Sequence, residues 1–385
     1  MFNIVYIPSL RTSTKRGIAL PPKKKIILFQ GMLAAVKAMA SSTLQMHPFA
    51  STVTSFMQSR FPEVLADHTF DNVGLLLESP WSRPTADKNS TPQYPPLQNT
   101  ALLTVDLTTA VADEAIRKNV SIIVAYHPPI FRPLKRLSLQ DSQQRSLLRL
   151  AQAGISIYSP HTAIDAHPLG NAFWFGNRLA AAIDSRGTGR AGGFQMMTVR
   201  PCLEAAISAA ARAEFATKFG ATRLETAGAG RIMHLDSPIS ARTLVRAVQD
   251  VVGRQPLSIA SPPERGGKRE QLAAGEDGGG SIQSFAVCLG SGAEVLKGCN
   301  ADVLITGEMS HHETLAAVER GQMVIAMRHS VGEREYLAQV LRPMMQKTIL
   351  RDLIHNVDLD LGEVQVLMSE VDRDPFDVLT DEIMD

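Results

Sequence analysis

The chain has 385 residues, of which 44% are hydrophobic and 20% charged, and a formal net charge of +1. This length exceeds what one hydrophobic core usually holds, and the composition is ordinary for a soluble globular protein. No run of about 18 apolar residues is present, which excludes a membrane-spanning helix. Cys202, Cys288 and Cys299 are an odd, widely spaced set without a CxxC pair. They indicate a reducing compartment and exclude a disulfide scaffold or a thiolate zinc site.

The N-terminal arm, residues 1–54, is basic and free of acidic residues. Residues 1–62 hold eight Lys and Arg, and the first acidic residue is Glu63. This Ser- and Ala-rich composition is typical of a mitochondrial transit peptide. A nuclear signal at residues 23–25, a mispredicted start and a disordered tail remain alternatives. We therefore expect a mitochondrial or cytoplasmic protein.

The ordered body is expected to begin near Phe56 and to form a first α/β lobe over residues 55–190. Residues 79–99 are rich in Pro and polar residues and predict a surface loop. Strand-like and helix-like segments then alternate, in the order ALLTVDL, TTAVADEAIRKN, SIIVAYH, SQQRSLLRLAQAG and ISIYS. Because this alternation needs crossover connections, it favours a largely parallel sheet.

The rest of the chain divides into a middle segment, 191–281, and a second α/β lobe, 282–385, with an acidic C-terminal tail. The middle segment holds an Ala-rich helix at 203–219 and a Gly-rich stretch at 261–281 that predicts a disordered loop. The last third resumes the alternation with FAVCLGSG, DVLIT, SHHETLAAVERG and MVIAM. The predicted fold is therefore α/β, with two similar lobes and mostly parallel sheets.

Metal-type ligands follow four of the apolar runs. These residues are His127, His161 with Asp165, Glu308, and His329 with Glu333. Side chains at the carboxyl ends of parallel strands meet at one edge of a sheet, which is where open α/β folds build their sites. A mixture of imidazoles and carboxylates suits a divalent ion such as Zn, Mn or Fe. The pattern predicts a shared metal site.

Helix capping offers a local alternative for several of these residues. Asp165 could cap a helix that begins near Pro168, and Ser330 with Glu333 matches a capping box. Ser310 and Glu313 match another capping box. His311 and His312 are helix neighbours that point about 100° apart, so at most one of them should line the site. Glu308, between a strand end and a helix, is the better candidate for a catalytic acid/base residue or for a partner of a metal ligand.

Five motifs occur in an order that resembles the NGG-one-interacting-factor-three-like family, also labelled GTP cyclohydrolase I type 2-like. They are DNVGL at 71–75, YHPPIF at 126–131, HTAID at 161–165, GEMSHH at 307–312 and HSVGERE at 329–335. The resemblance covers about residues 55–355. It implies two similar lobes that face each other across a cleft, a dinuclear metal centre in that cleft, and a ring-shaped trimer or hexamer. The metal ligands implied are His127, Asp165, His329 and Glu333.

Tyr126 departs from the family pattern, because many bacterial relatives carry a second histidine beside the one at 127. A phenol with a pKa near ~10 is a poor ligand for these metals. A second ion would therefore be weakly held, absent, or completed by His161 or water. The inserted domain of some bacterial relatives also has no room between residues 191 and 281, so a more open cleft is expected.

The resemblance and the ligand pattern together predict metal-assisted hydrolysis of a nucleotide-like substrate. One or two Zn, Mn or Fe ions would activate a water, and Glu308 or Glu333 would act as the catalytic proton shuttle. Gly-rich segments at 228–231 and 288–292, with Arg231, could contact phosphate or serve only as turns. The alternative is a non-enzymatic metal-holding scaffold or a partner of a transcription coregulator. Direct nucleic-acid binding is not expected, because the folded body lacks a basic face.

Overall fold

Two β-sheets with helices on both faces make up the described part of the chain. The computed structural model describes residues 45–81, 97–185, 193–201, 212–213, 215–217, 226–262, 281–355 and 363–377. The basic arm up to residue 44, most of the predicted Ala-rich helix and residues 263–280 of the Gly-rich loop lie outside these ranges. The predictions of a transit peptide and of a disordered loop therefore remain predictions.

The first sheet has five strands in the order β1, β4, β3, β2, β11. They are β1 (Gly74–Leu77), β2 (Gln98–Thr104), β3 (Val120–Ala125), β4 (Ser156–Ser159) and β11 (Gln365–Met368). Neighbours from β4 to β11 pair in parallel, and β1 adds an antiparallel edge. The predicted crossovers are present as helices α2 (Thr109–Arg117) and α3 (Ser142–Gln152). Gly154, with φ +76°, ends the turn after α3.

Both faces of the first sheet are buried, which explains the unbroken apolar runs of its strands. All six residues of β3 are buried. Ile122 and Val124 pack on the face covered by α1 (Pro48–Arg60), whereas Ile123 and Ala125 pack on the face of α2 and α3. Strand β3 ends at Ala125, which places Tyr126 and His127 at the carboxyl edge of the sheet.

The second sheet has six strands in the order β5, β6, β8, β9, β10, β7. They are β5 (Phe194–Pro201), β6 (Gly228–Ser240), β7 (Ser258–Ala260), β8 (Ser281–Ser291), β9 (Val303–Glu308) and β10 (Met323–Ala326). The central strands β8, β9 and β10 are parallel, and the other three pair antiparallel. The predicted α/β class with two lobes is confirmed, and the parallel pairing is concentrated in the first sheet and in these three strands.

Helices cover the second sheet as well. In chain order the remaining helices are α4 (His161–Ala166), α5 (Asn171–Asp184), α6 (Ala241–Val251), α7 (Ala293–Leu296), α8 (His311–Glu319), α9 (Val331–Tyr336) and α10 (Arg342–His355). A π-helical turn at Leu337–Leu341 joins α9 to α10. Helices α5 and α6 pack on one face, and α7 and α8 on the other.

Two helices cross from one lobe to the other. Phe175, Leu179 and Ile183 of α5 belong to the second core, although the sequence analysis assigned residues 55–190 to the first lobe. In return, Leu341 and Met345 at the start of α10 and the turn before it pack in the first core against α1. Each amphipathic helix buries its apolar face where a sheet lacks cover, and chain order alone does not fix which sheet that is.

At several other places the helices and strands cross the boundaries expected from the sequence. Helix α1 starts at Pro48, inside the predicted arm 1–54, because His47 caps it and Phe49 is fully buried. The described residues of the middle segment 191–281 supply β5, β6 and β7 of the second sheet.

The predicted second lobe, 282–385, also gives β11 to the first sheet, where it pairs with the edge of β2. In the Pro-rich loop, Ser79 is buried and its hydroxyl donates to the Ile155 carbonyl at 2.6 Å. Strand β2 already begins at Gln98. Residues 82–96 of that loop are outside the described ranges.

Candidate metal centre

The candidate site lies where the carboxyl ends of the parallel strands of both sheets meet. On the first sheet, Asp106 follows β2 and His127 follows β3, where the His127 amide donates to the Val105 carbonyl at 3.0 Å. On the second sheet, His329 follows β10 and Glu308 ends β9. Glu333 is supplied by α9. Strand ends thus place four of the five side chains, as parallel topology requires.

Three histidines at this edge each have a carboxylate oxygen beside Nδ1, and the pairs of His127 and His161 are hydrogen bonds. The pairs are His127 with Asp106 Oδ1 at 2.8 Å, His161 with Asp71 Oδ1 at 2.7 Å, and His329 with Glu308 Oε1 at 3.0 Å. A carboxylate on one ring nitrogen fixes the tautomer and orientation of an imidazole and leaves the other nitrogen for an ion. The arrangement therefore presents Nε2 of each ring as the available donor.

His127, His329 and Glu333 form a group whose ligand atoms all lie within 4.8 Å of one another. The two oxygens of Glu333 face the two rings, with Oε2 at 3.4 Å from His127 Nε2 and Oε1 at 3.9 Å from His329 Nε2. The Glu333 side chain is only 4% exposed. Its buried Oε2 makes no hydrogen bond of regular geometry to any residue that the structure describes. The ion pair with His127 compensates this carboxylate, and a bound cation would take the place of the His127 proton.

Gly290 makes room for the Glu333 carboxylate. It lies in β8 with φ +66°, and a Cβ atom there would stand 2.6 Å from Glu333 Oε1 and 3.5 Å from His329 Nε2. A larger residue would be strained in this left-handed backbone and would collide with the ligand group. The Gly-rich segment at 288–292 thus lets the backbone approach the site closely.

The electrostatics of the pair His127 and Asp106 favour charge on both partners. Burial alone would lower the pKa of His127, but the Asp106 hydrogen bond and the Glu333 carboxylate outweigh it and raise the pKa to about 10. Burial would likewise raise the pKa of Asp106, and the bond to His127 brings it below its ordinary value. In the metal-free protein His127 is therefore protonated at neutral pH, so an ion must displace a proton to bind there.

Asp165 lies beside the three-residue group in a separate hydrogen-bonded triangle. The Tyr126 phenol donates to Asp165 Oδ1, and Asn171 Nδ2 donates at 2.7 Å to both the phenol oxygen and Oδ1. Burial raises the pKa of Tyr126 well above its ordinary value, and burial also raises that of Asp165. Tyr126 is thus protonated and donates a hydrogen bond to Asp165 Oδ1. Asp165 is the carboxylate that the family resemblance implies as a metal ligand.

The capping alternative fails for two of the motifs and holds for a third. Asp165 is inside α4, and α5 begins after Gly170 without a side-chain cap. The Ser330 hydroxyl does not cap α9. The predicted capping box of Ser310 and Glu313 is present at the start of α8.

His311 and His312 are exposed at the start of α8, outside the three-residue group. Glu308 is also exposed, at 56% of its side chain, and lines the edge of the site through its bond to His329.

Asp71 and Asp106 are the residues that sequence reasoning missed. Asp106 was placed inside a predicted strand, but β2 ends at Thr104 and the carboxylate lies beyond the ladder. Asp71 is fully buried and also accepts from the backbone amide of Thr162 at 3.2 Å. An acidic residue just after an apolar parallel strand was the available signal for Asp106. His161 itself has φ +27°, an uncommon backbone for a residue other than Gly.

Arg231 does not offer a phosphate contact. The side chain is buried, and its guanidinium donates to the carbonyls of Gly228 at 2.6 Å, Gly230 at 2.8 Å and His167 at 3.1 Å. The arginine instead ties the start of β6 to the loop before α5.

An open cavity of about 640 Å³ adjoins the ligand group. The acidic lining residues are Asp106, Glu308 and Asp374. The apolar lining comprises Ile259, Ala260, Met309, Val324, Ala326, Pro375 and Phe376. Arg328, the arginine among the described lining residues, donates to the Phe376 carbonyl at 2.9 Å and to Gln255 Oε1 at 2.7 Å. No helix in the described ranges is long and apolar enough to cross a membrane.

The fold and site define an α/β protein with a histidine and carboxylate cluster between two sheets. A sequence model of the Duf34/NIF3 (NGG1p interacting factor 3) family matches residues 49–358, and the chain belongs to this family. Protein NIF3 homolog of Schizosaccharomyces pombe is 36% identical over 85% of this chain and 97% of the relative. NGG1-interacting factor 3 of Saccharomyces cerevisiae is 33% identical over 88% and 99%. The crystal structure of a Bacillus cereus protein related to NIF3 has the same fold, with a TM-score of 0.57 and 18% identity over 86% of this chain and 99% of that one.

Proposed function

We propose that this protein binds a divalent metal ion at His127, His329 and Glu333 and uses it for hydrolysis. The observation that carries the proposal is the convergence of ligand atoms from these three residues within 4.8 Å of one another, with the Glu333 carboxylate buried between the two imidazoles. The sequence motifs and the three histidine and carboxylate pairs support it. Two imidazoles and one carboxylate are a donor set of the kind found in catalytic zinc sites.

The donor set suits Zn, Mn or Fe, and it supports one ion more directly than two. Asp165 and His161, the further ligands expected from sequence, lie outside the three-residue group. Asp165 Oδ1 already accepts from Tyr126 and Asn171. A bound divalent ion would lower the pKa of a coordinated water and polarise a substrate oxygen or carbon.

The side chains around the group have distinct roles in this proposal. Asp106 and Asp71 orient the imidazoles of His127 and His161. Glu333 lies between His127 and His329 as a ligand, which leaves Glu308 as the proton acceptor. Glu308 is suited to that role because it lines the cavity and remains largely exposed, so that it can exchange a proton with solvent.

The cavity lining bears on the substrate. Arg328, the arginine among the described lining residues, is already bonded to Phe376 and Gln255, and no lysine is among these lining residues. We propose that a nucleotide-like substrate would place its uncharged ring system against the apolar lining residues and leave any phosphates outside the cavity.

Metal loading and turnover test this proposal together. Protein stripped with a chelator would be reloaded with Zn²⁺, Mn²⁺ or Fe²⁺, the bound metal counted by mass spectrometry, and hydrolysis of GTP and other nucleotides followed. We expect about one ion per chain. His329→Ala should abolish binding, whereas His312→Ala, an exposed histidine outside the group, should not change it. Absence of metal in the wild-type protein under every loading would contradict the proposal.

A non-enzymatic role as a scaffold or partner protein is the second candidate. It is favoured by exposed hydrophobic side chains on the loop after β3, Phe131, Leu134, Leu137 and Leu139, and by exposed Phe70, whose ring centroid lies 6.2 Å from that of Phe131. Large exposed hydrophobic groups mark sites of association with other proteins or with further copies of the chain. Such association includes the ring-shaped trimer or hexamer implied by the resemblance. Metal binding without turnover of any nucleotide, together with a Leu137→Ser variant that loses association in light scattering, would favour this candidate.

A further inference from the structure

The segment after β11, residues 369–377, connects the two halves of the candidate site; we call it the C-terminal strap. It lies beyond residues 49–358, which the family model matches. The Ser369 amide donates to the Leu103 carbonyl at 2.8 Å, so the strap starts against the end of β2. At its other end, the Phe376 carbonyl accepts a hydrogen bond at 2.9 Å from Arg328, the residue that directly precedes His329. The strap thus runs from the first sheet to the second.

Asp372 makes the central connection of the strap. One carboxylate oxygen accepts from the Val105 amide at 2.9 Å, and the other lies 3.5 Å from the Asp106 amide. The same carboxylate receives a two-pronged bond from Arg334, with Nε at 3.1 Å and Nη2 at 3.2 Å. Arg334 directly follows Glu333 in α9. One carboxylate therefore holds the backbone that carries Asp106 and the helix that carries Glu333.

A second set of bonds reinforces this connection. Arg334 Nη1 donates to the Ser330 hydroxyl at 3.0 Å, and that hydroxyl donates to Asp374 Oδ2 at 3.1 Å. The Ser330 hydroxyl therefore bonds Asp374 of the strap and does not cap α9. These contacts fix Ser330, the residue between His329 and the start of α9.

Asp372 is buried, with 2% of its side chain exposed. A buried carboxylate with charge-assisted bonds on two elements resists separation of those elements, because removing one partner leaves the others unpaired in a poorly solvated place. None of the hydrogen bonds of Asp372 in the described residues involves His127, His329 or Glu333. Its influence on an ion therefore passes through Asp106 and α9.

We propose that Asp372 is a positioning residue, which sets the separation between the His127 half and the Glu333 half of the metal group. This inference rests on the proposed metal site. The strap then couples the C-terminal segment to metal affinity: an ion that draws the two halves together stabilises the strap, and a strap held in place raises the affinity for the ion.

Matched substitutions within the strap test the coupling. Asp372→Asn keeps the shape of the side chain and removes its charge, whereas Asp377→Asn makes the same change at a carboxylate that is 76% exposed. We expect Asp372→Asn to weaken Zn²⁺ binding about tenfold in competition with a chromophoric chelator, and Asp377→Asn to leave it unchanged. The visible absorption spectrum of the Co²⁺-loaded protein should shift in Asp372→Asn alone, a change that a purely structural role would not produce. Equal Zn²⁺ affinities and Co²⁺ spectra for both variants would overturn the inference.

Hydrogen exchange of the wild-type protein provides a test that does not depend on folding of a variant. Adding Zn²⁺ should slow exchange of the Val105 and Asp106 amides and of the strap, although no strap residue belongs to the ligand group. Unchanged protection there, in protein shown to hold Zn²⁺, would overturn the inference and leave the metal site standing. Failure of the wild-type protein to bind Zn²⁺ would instead reject the proposed function on which it rests.

Discussion

The two sheets contribute unequally to the candidate metal centre. On the first sheet, the Asp71 side chain is fully buried, and the side chains of His161, His127 and Asp106 are 18%, 21% and 38% exposed. On the second sheet, the side chains of His329 and Glu308 are 35% and 56% exposed. The first-sheet half is thus the more enclosed of the two and is held by hydrogen bonds, although Asp106 and His127 also line the cavity.

This difference in exposure indicates that the two halves of the site have different roles. A fixed half pre-organises the ligands and lowers the cost of binding an ion, whereas an open half gives access to water and substrate. Glu333 lies between them, deeply buried yet carried by a helix next to the second sheet. The predictions that follow test whether the enclosed half contributes more to metal affinity than the open half.

The largest effect is expected from Glu333→Gln. Loss of the shared carboxylate should weaken Zn²⁺ affinity about 100-fold or more, because one of three ligands and its charge are removed. Isothermal titration against a chelator-buffered metal solution measures this. Glu335→Gln is the control, since its carboxylate bonds Gln339 and lies outside the ligand group. Similar affinities for the two variants would show that Glu333 is not a ligand.

The comparison between the halves is tested by Asp106→Asn and Glu308→Gln. Each removes the carboxylate that orients one histidine. We expect Asp106→Asn to weaken Zn²⁺ binding by roughly 10–100-fold and Glu308→Gln by less than about tenfold, because the more exposed pair is already solvated. Competition titrations under one buffer condition give the ratio. A larger loss of Zn²⁺ affinity in Glu308→Gln than in Asp106→Asn would contradict the proposed difference between the two halves.

Gly290→Ala tests how closely the backbone must approach Glu333. The added Cβ would stand 2.6 Å from Glu333 Oε1, so the carboxylate must move and affinity should fall about tenfold. Gly298→Ala is the matched control, because its φ of +75° imposes a similar backbone strain and nothing lies within 4 Å of the new Cβ. If both variants lose metal affinity equally, backbone strain rather than the contact with Glu333 is responsible.

The pKa values of His47, a buried histidine before α1, and His127, a partly buried histidine of the candidate site, shift in opposite directions, and this difference shows the effect of neighbouring carboxylates. Burial lowers the pKa of His47 from 6.5 to about 4, whereas His127 beside its carboxylates rises to about 10. His47 Nδ1 accepts from the Phe49 amide at 3.3 Å at the start of α1, which requires a neutral ring.

The effect of His47 on stability should therefore appear below its unfolded pKa. As pH falls from 6.5 to 4, the unfolded chain takes up a proton and the folded chain does not, so stability is lost, on the order of 2–3 kcal/mol at most. His47→Asn keeps an acceptor without titrating and should flatten this part of the curve. Urea unfolding of both proteins across this range measures the difference, and parallel curves would contradict it.

Sequence reasoning identified the candidate residues at and after the strand ends because apolar runs and the residues after them are local signals. His127, His329 and Glu333 were named from motifs and converge in the structure. The helix exchange was not predictable in this way, since an amphipathic pattern in α5 says that one face is buried but not against which sheet. The role of Asp372 was also hidden, because it depends on contacts between residues more than 200 positions apart, of which the bond to the Val105 amide is one.

The triangle formed by Tyr126, Asp165 and Asn171 shows the same limit. The sequence indicated that Tyr126 is a poor ligand. It did not indicate that the phenol would donate to Asp165 and so engage a carboxylate expected to bind metal. Such a consequence requires knowledge of where two segments meet.

The most direct measurement is anomalous diffraction at the Zn, Mn and Fe edges from crystals grown without chelators. The account predicts one peak within bonding distance of His127 Nε2, His329 Nε2 and the Glu333 carboxylate, with Asp106 and Glu308 still bound to the Nδ1 atoms of the two imidazoles. Crystals of metal-supplemented protein with no peak among these three side chains, or with a peak that Glu333 does not contact, would contradict it.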